Sequence, residues 1–146
     1  MPVVEQDVFI SRRPEDVFEY LDKAENLPVW DSSIMEAEQI SDGPNDVGSR
    51  WRGVSKILGR RFEWVVEISE REPPRRAVSR AVEGKMQFTV SNTLEPEGDG
   101  TRFTYRVEAE SGLGGVFGRL ADPLVEKAQR RTVRANLDTL AELLGE

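Results

Sequence analysis

The feature that most constrains the fold is a change of hydrophobic period near residue 33. From there to about residue 110, apolar and polar residues alternate, and clusters of Gly, Pro, Asn and Asp interrupt them about every ten residues. Most of these clusters are short enough to connect neighbouring strands as antiparallel hairpins. The pattern predicts strands over residues 3–10, 33–41, 49–58, 61–71, 76–83, 86–95 and 101–110. One seven-stranded meander is the simplest assembly.

Helical patterns stand on both sides of the alternating region. A helix is predicted to begin at Pro14, and residues 26–31 have room for a further short helical turn. From about 114 to 144, apolar residues recur at spacings of three to five, which predicts one long helix with a kink or break near Pro123. The sequence therefore predicts a single α+β domain over residues 1–146. It would have a curved antiparallel sheet, two short helices after the first strand, and a long C-terminal helix over the sheet.

One face of the predicted sheet is apolar, as the alternation in residues 61–69, 86–95 and 101–109 indicates. A helix about 10 Å across covers only part of a seven-stranded sheet about 30 Å wide, so an apolar gap is expected. Small inward residues are expected to widen it: Gly53, Ser55, Ala77, Ser79 and Ala81. A ligand cavity of at least about 300 Å³ follows. The alternative is a solid core in which Trp30 and side chains of the first helix fill the space.

The composition excludes several functions. The chain contains 0 Cys and 0 His, which removes thiol nucleophiles, disulfides, thiolate or imidazole metal sites and histidine general bases. We therefore expect no metal and no cofactor. The formal net charge of -7 opposes binding to nucleic acids and anionic membranes. No stretch approaches about 18 apolar residues, and the first residues lack the pattern of a signal peptide. A cytoplasmic protein without stable membrane insertion is expected, and its oligomeric state stays open.

Several segments resemble the START-like (SRPBCC) superfamily of polyketide cyclase/dehydrase and lipid-transport type, which has the helix-grip fold. The segment SRRPEDVFEYLDKAENLPVWD is similar to the family's helical entry, EPPRRAV to a strand turn, and LEPEGDGTRFTYRVE to its last hairpin. GRLADPLVEKAQRRTVRANLDTLAELL resembles the closing helix, and the resemblance covers residues 3–144. Members include lipid carriers, aromatase/cyclases, hormone receptors and chaperone cofactors, so the fold alone does not define a chemistry.

The resemblance implies a ligand site between the sheet and the long helix. Its apolar lining on this chain would be Trp30, Trp51, Phe62, Trp64, Met86, Phe88, Val90, Phe103, Tyr105, Phe117, Leu120 and Leu124. Polar groups that could face the same space are Ser55, Ser79, Asn92 and the hydroxyl of Tyr105. For each of these residues the alternative is ordinary core packing or a locally satisfied hydrogen bond. No catalytic residue is assigned.

Three functions remain open at this point. The first is binding or transport of a hydrophobic or amphipathic small molecule such as a lipid, a polyketide or an aromatic metabolite. The second is a cofactor-independent aromatase, cyclase or dehydratase. The resemblance implies inward arginines for a cyclase, whereas the strand arginines here mostly have outward parity: Arg50, Arg52, Arg80, Arg102 and Arg106. The third is a protein-interaction module, such as a chaperone co-activator or a ribosome-associated factor.

Overall fold

The computed structural model describes residues 3–57, 59–84, 87–109 and 123–145, with the backbone alone for Ile57, residues 123–126 and Ala128. The strands are β1 (Val3–Ile10), β2 (Ile34–Gln39), β3 (Arg50–Ile57), β4 (Arg60–Glu72), β5 (Arg76–Glu83), β6 (Phe88–Glu97) and β7 (Gly100–Ala109). The helices are α1 (Pro14–Leu21), a 3-10 turn (Ala24–Asn26), α2 (Leu27–Trp30) and α3 (Pro123–Leu144). The predicted α+β helix-grip fold is confirmed. The part of the last helix that was predicted over residues 114–122 lies outside the described residues.

All neighbouring strands are antiparallel, and their order is β1-β7-β6-β5-β4-β3-β2. Strands β2 to β7 form the predicted meander. The first strand does not continue it, because β1 pairs with β7 at the opposite edge from β2. The connection over residues 11–33 explains this difference, since it contains α1 and α2 and carries the chain across the sheet.

The strands alternate as predicted, which gives the sheet two unlike faces. On β4, Trp64, Val66 and Ile68 are buried and Glu63 is exposed. The opposite face carries ion pairs: Arg50–Glu67, Arg52 with Glu36 and Glu38, Arg102–Glu97, and Arg106 with Glu5 and Glu108. Register shifts between β4 and β5 add local bends to the sheet. The strand arginines named in these ion pairs therefore lie on the face of the sheet opposite the apolar face.

The apolar core consists of two clusters. The first packs the C-terminal half of α3, through Leu137 and Leu140, against Ile10 and Phe103. The second lies on β3 and β4 and includes Trp51, Trp64, Val66 and Ile68. None of the helices in the described ranges is long and apolar enough to cross a membrane.

Candidate functional site

A cavity of about 210 Å³ lies between the two core clusters and is lined by residues of both. Its walls come from all seven strands and from α1, α2 and α3. The cavity is smaller than the predicted 300 Å³ or more. An engineered apolar cavity of about 150 Å³ binds benzene, so the space observed here admits a compact ligand of one or two rings.

Trp64 fills the space over Gly53. Its ring lies over this residue, its register partner on β3, so a Cβ atom at position 53 would overlap the indole. Trp64 Nε1 donates a hydrogen bond of 2.9 Å to Ser55 Oγ, and the ring meets Phe88 edge-on with centroids 6.3 Å apart. The absence of a side chain at Gly53 therefore makes room for the indole and does not leave the gap open there as expected, whereas Ser55 lines the cavity.

A polar network lies along one side of the cavity, where the loop over residues 40–49 meets the end of α1. Trp51 Nε1 donates to Asn45 Oδ1 at 2.9 Å, and Asn45 Nδ2 donates to Asp22 Oδ1 at 2.7 Å. Arg71 makes a bidentate pair with Asp22, with bonds of 3.1 and 2.7 Å, and its guanidinium lies 5.4 Å from the Phe18 ring centroid. The hydrogen bond to Asp22 raises the pKa of Arg71. These contacts join the loop, α1 and β4.

A buried carboxyl group stands between α2 and α3. Asp31 Oδ1 accepts hydrogen bonds from the Ser33 backbone N–H at 2.9 Å, from Ser33 Oγ at 2.7 Å and from Asn136 Nδ2 at 3.1 Å. Asn136 Oδ1 in turn accepts from the N–H and the hydroxyl of Ser32, at 3.2 and 2.9 Å. Burial raises the pKa of Asp31, although the bonds from Ser33 oppose this shift. The Asp31 carboxyl group is therefore harder to ionise than an exposed aspartate.

Three further polar groups line the cavity: the Tyr105 phenol, the Trp30 indole N–H and the Asn92 side-chain amide. The Tyr105 ring contacts the Trp30 ring edge-on at 5.9 Å, and Tyr105 is the register partner of Asn92 on β6. Burial, aided by the nearby Asp31 charge, raises the pKa of the Tyr105 phenol, so that it stays neutral at physiological pH. Trp30 Nε1 and Asn92 Oδ1 are buried and have no hydrogen-bond partner in the described part of the chain. Buried polar atoms without partners are uncommon in proteins.

The residues of α3 that line the cavity, among those whose side chains the structure describes, are mostly polar. They are Gln129, Thr132, Val133 and Asn136, and three of these four side chains are polar. On the sheet side the described lining is mainly aromatic and aliphatic. The described lining therefore combines an apolar wall with several hydrogen-bonding groups.

Nine of the residues predicted for the site line the cavity: Trp30, Trp51, Ser55, Trp64, Ser79, Phe88, Val90, Asn92 and Tyr105. Phe62 and Phe103 are instead placed with the two core clusters, and neither is among the described lining residues. The predictions for Met86, Phe117 and Leu120 lie outside the described residues, and only the backbone of Leu124 is described.

The sequence analysis missed the polar groups contributed by the helices, chiefly Asp31 and Asn136. The sequence could have indicated that Asn136 lies near the core, because this residue is one turn from Val133 and from Leu140, at the border of the apolar stripe of α3. Asp31 had no such signal, since an acidic residue after a short helix is usually exposed. Within the ranges that the structure describes, no group of three or more Asp or Glu side chains is placed to hold a metal ion.

The fold and the cavity together define a START-like protein of the helix-grip type. The sequence profile of the family described as polyketide cyclase/dehydrase and lipid transport matches residues 1–145, and the chain belongs to this family. The resemblance inferred from the sequence is thereby confirmed. No curated protein matches the sequence.

Solved structures with the same fold come from distant organisms. A protein from Thermus thermophilus is 25% identical with a TM-score of 0.79, covering 97% of this chain and 95% of its own. A START superfamily protein from Mycobacterium smegmatis is 15% identical with a TM-score of 0.76, covering 97% and 96%. A major latex-like protein from Panax ginseng is 14% identical with a TM-score of 0.69, covering 95% and 96%. At these identities the similarity supports the fold.

Proposed function

We propose that this protein binds or carries a compact hydrophobic or amphipathic small molecule in the cavity between the sheet and α3. The observation that carries the proposal is the cavity of about 210 Å³ with aromatic walls on the sheet side and polar groups on the helix side. Burying an apolar ligand surface there releases about 25 cal/mol per Å². Lipids, polyketides and aromatic metabolites remain the candidate classes, limited by the volume to small members or to part of a longer molecule.

Titration with 6-propionyl-2-(dimethylamino)naphthalene tests this proposal, because this two-ring probe is uncharged and fluoresces more strongly in apolar surroundings. We expect saturable binding with a stoichiometry of one. Ser79→Phe, which places a ring in the cavity lining, should weaken binding at least about tenfold if the ring occupies the ligand space. Absence of saturable binding to the folded wild-type protein would reject the proposal. Circular dichroism of both proteins controls for loss of structure.

The second candidate is a cofactor-independent dehydratase or cyclase, and Asp31 favours it. The buried Asp31 carboxyl, beside the Tyr105 phenol, would give its proton to the hydroxyl group that leaves the β-carbon of a β-hydroxy ketone. The proton lost from the α-carbon as the double bond forms would return to the Asp31 carboxylate, so that one water leaves and the acid is restored. Incubation of the retained ligand with the protein would then produce a species lighter by one water. Asp31→Asn should abolish this change and preserve binding.

The interaction-module alternative remains a prediction, and no described contact favours it. The cytoplasm likewise remains the proposed location, which fractionation of host cells would test.

A further inference from the structure

Near Trp30, Asn92 and Tyr105, the cavity lining contains buried polar atoms that form no hydrogen bond within the described part of the chain. Trp30 Nε1, a donor, and Asn92 Oδ1, an acceptor, have no partner among the residues that the structure describes. Both line the cavity, and Tyr105 joins them, as the ring neighbour of Trp30 and the strand neighbour of Asn92. A ligand that satisfies a buried donor and acceptor is favoured over one that leaves them unpaired.

The charged side chains among the described lining residues are acidic. Asp31 lies beside Tyr105 and accepts its three hydrogen bonds on Oδ1 alone. The described lining contains Asp22 and Asp31 and no Lys or Arg. Asp22 is paired with Arg71, but Asp31 has no cation among its hydrogen-bond partners in the same part of the structure. A carboxylate or phosphate group of a ligand would therefore be buried beside the Asp31 carboxyl group, with no compensating cation among the described lining residues.

We infer that Trp30, Asn92 and Asp31 determine specificity, so that the cavity selects uncharged hydrogen-bonding ligands over anionic ligands of the same shape. This inference rests on the proposed ligand-binding function. An acceptor oxygen on the ligand would take the N–H of Trp30, and a ligand hydroxyl would donate to Asn92. Asp31 would exclude carboxylates such as free fatty acids. The chemical class selected is a neutral molecule with hydroxyl or carbonyl groups on an apolar frame.

Three probes with the same ring system separate these effects: naphthalene, 2-naphthol and 2-naphthoate. Naphthalene is apolar, 2-naphthol is neutral with a hydroxyl group, and 2-naphthoate is anionic at pH 7. By calorimetry, we expect 2-naphthol to bind about fivefold or more tightly than naphthalene, and 2-naphthoate to bind about tenfold or more weakly than 2-naphthol. Equal affinities for naphthalene and 2-naphthol, or tight binding of 2-naphthoate, would overturn the inference.

Variants assign the preference to residues. Asn92→Leu and Trp30→Phe should each reduce the affinity ratio of 2-naphthol to naphthalene towards one. Trp64→Phe is the matched control, because Trp64 Nε1 already donates to Ser55 and its loss should change both affinities together. Asp31→Asn should strengthen 2-naphthoate binding relative to naphthalene binding. A ratio that survives both Asn92→Leu and Trp30→Phe would contradict the assignment.

A spectroscopic readout reports on the indole directly. The chain has 3 Trp, so a ¹⁵N correlation spectrum should show three indole N–H signals, and the missing signal in Trp30→Phe identifies Trp30. Addition of 2-naphthol should shift the Trp30 signal downfield more than naphthalene does. Identical shifts with the two probes would overturn the hydrogen bond to Trp30. Failure of all three probes to bind would instead reject the ligand-binding function itself, so the two failures are distinguishable.

Discussion

Individual side chains decide the size and polarity of the cavity, and only part of this was predictable. Strand parity placed Trp64 on the inner face, because a period of two is a property of the backbone. Strand parity gives the face of the sheet on which a side chain lies, but not the neighbouring residue that it covers. It therefore did not predict that the indole lies over Gly53 and donates its hydrogen bond to Ser55. The burial of Asp31 was not predicted for a related reason. Its hydrogen-bond partner Asn136 is distant in sequence, so the contact arises only from tertiary packing.

The contact between Gly53 and Trp64 leads to a stability prediction. Gly53→Ala should lower the free energy of unfolding by about 1–3 kcal/mol, because the added methyl group would displace the indole ring. Urea denaturation measures the loss. In the Trp64→Phe background the same substitution should cost clearly less, because the smaller ring leaves room for the methyl group. Equal costs in both backgrounds would show that the indole is not what restricts position 53.

The buried carboxyl predicts a pH dependence of stability. Because the pKa of Asp31 is raised in the folded state, folded protein binds more protons than unfolded protein at pH values between the two pKa values. Asp31 therefore destabilises the protein as the pH rises above about 4, the ordinary aspartate value. We expect Asp31→Asn to gain stability relative to wild type between pH 4 and 7 in urea denaturation. A stability difference that is constant over this range would contradict the raised pKa.

Elements were easier to predict than their placement. The seven strands and the C-terminal helix follow from the periods of the sequence, and their predicted bounds differ from the observed bounds by a few residues where the structure describes them. The position of β1 did not follow, because the long connection through α1 and α2 is compatible with pairing at either edge. The contacts of the loop over residues 40–49 did not follow from the sequence, in which nothing indicated that Asn45 links the loop to β3 and to the end of α1.

The hydrogen bonds of Asn45 lead to a prediction about the opening of the loop over residues 40–49. Asn45→Ala removes the acceptor of Trp51 Nε1 and one donor to Asp22, so the loop should open at lower free energy. Backbone amides of residues 45–50 should exchange with solvent faster, whereas those of β6 and β7 should not change. Arg80→Gln serves as a surface control, since Arg80 is exposed on the outer part of β5. Unchanged exchange in the loop would show that other contacts hold it.

At the scale of the whole molecule, the resemblance to a family and the unequal areas of sheet and helix together predicted the architecture and a cavity. They did not predict its volume, because a few large side chains, among them Trp30, Trp51 and Trp64, occupy space that area alone leaves open. They also could not identify the ligand, since its recognition depends on polar atoms whose partners are settled only by tertiary packing.

Native mass spectrometry of the protein purified from its own host tests the central claim, that the cavity holds a small molecule, most directly. The account predicts a mass above the 16.5 kDa of the chain under native conditions, which returns to the chain mass after denaturation. Ser79→Phe, purified in the same way, should carry less of the bound molecule. A wild-type protein at the bare chain mass that also fails to bind 6-propionyl-2-(dimethylamino)naphthalene would contradict the account.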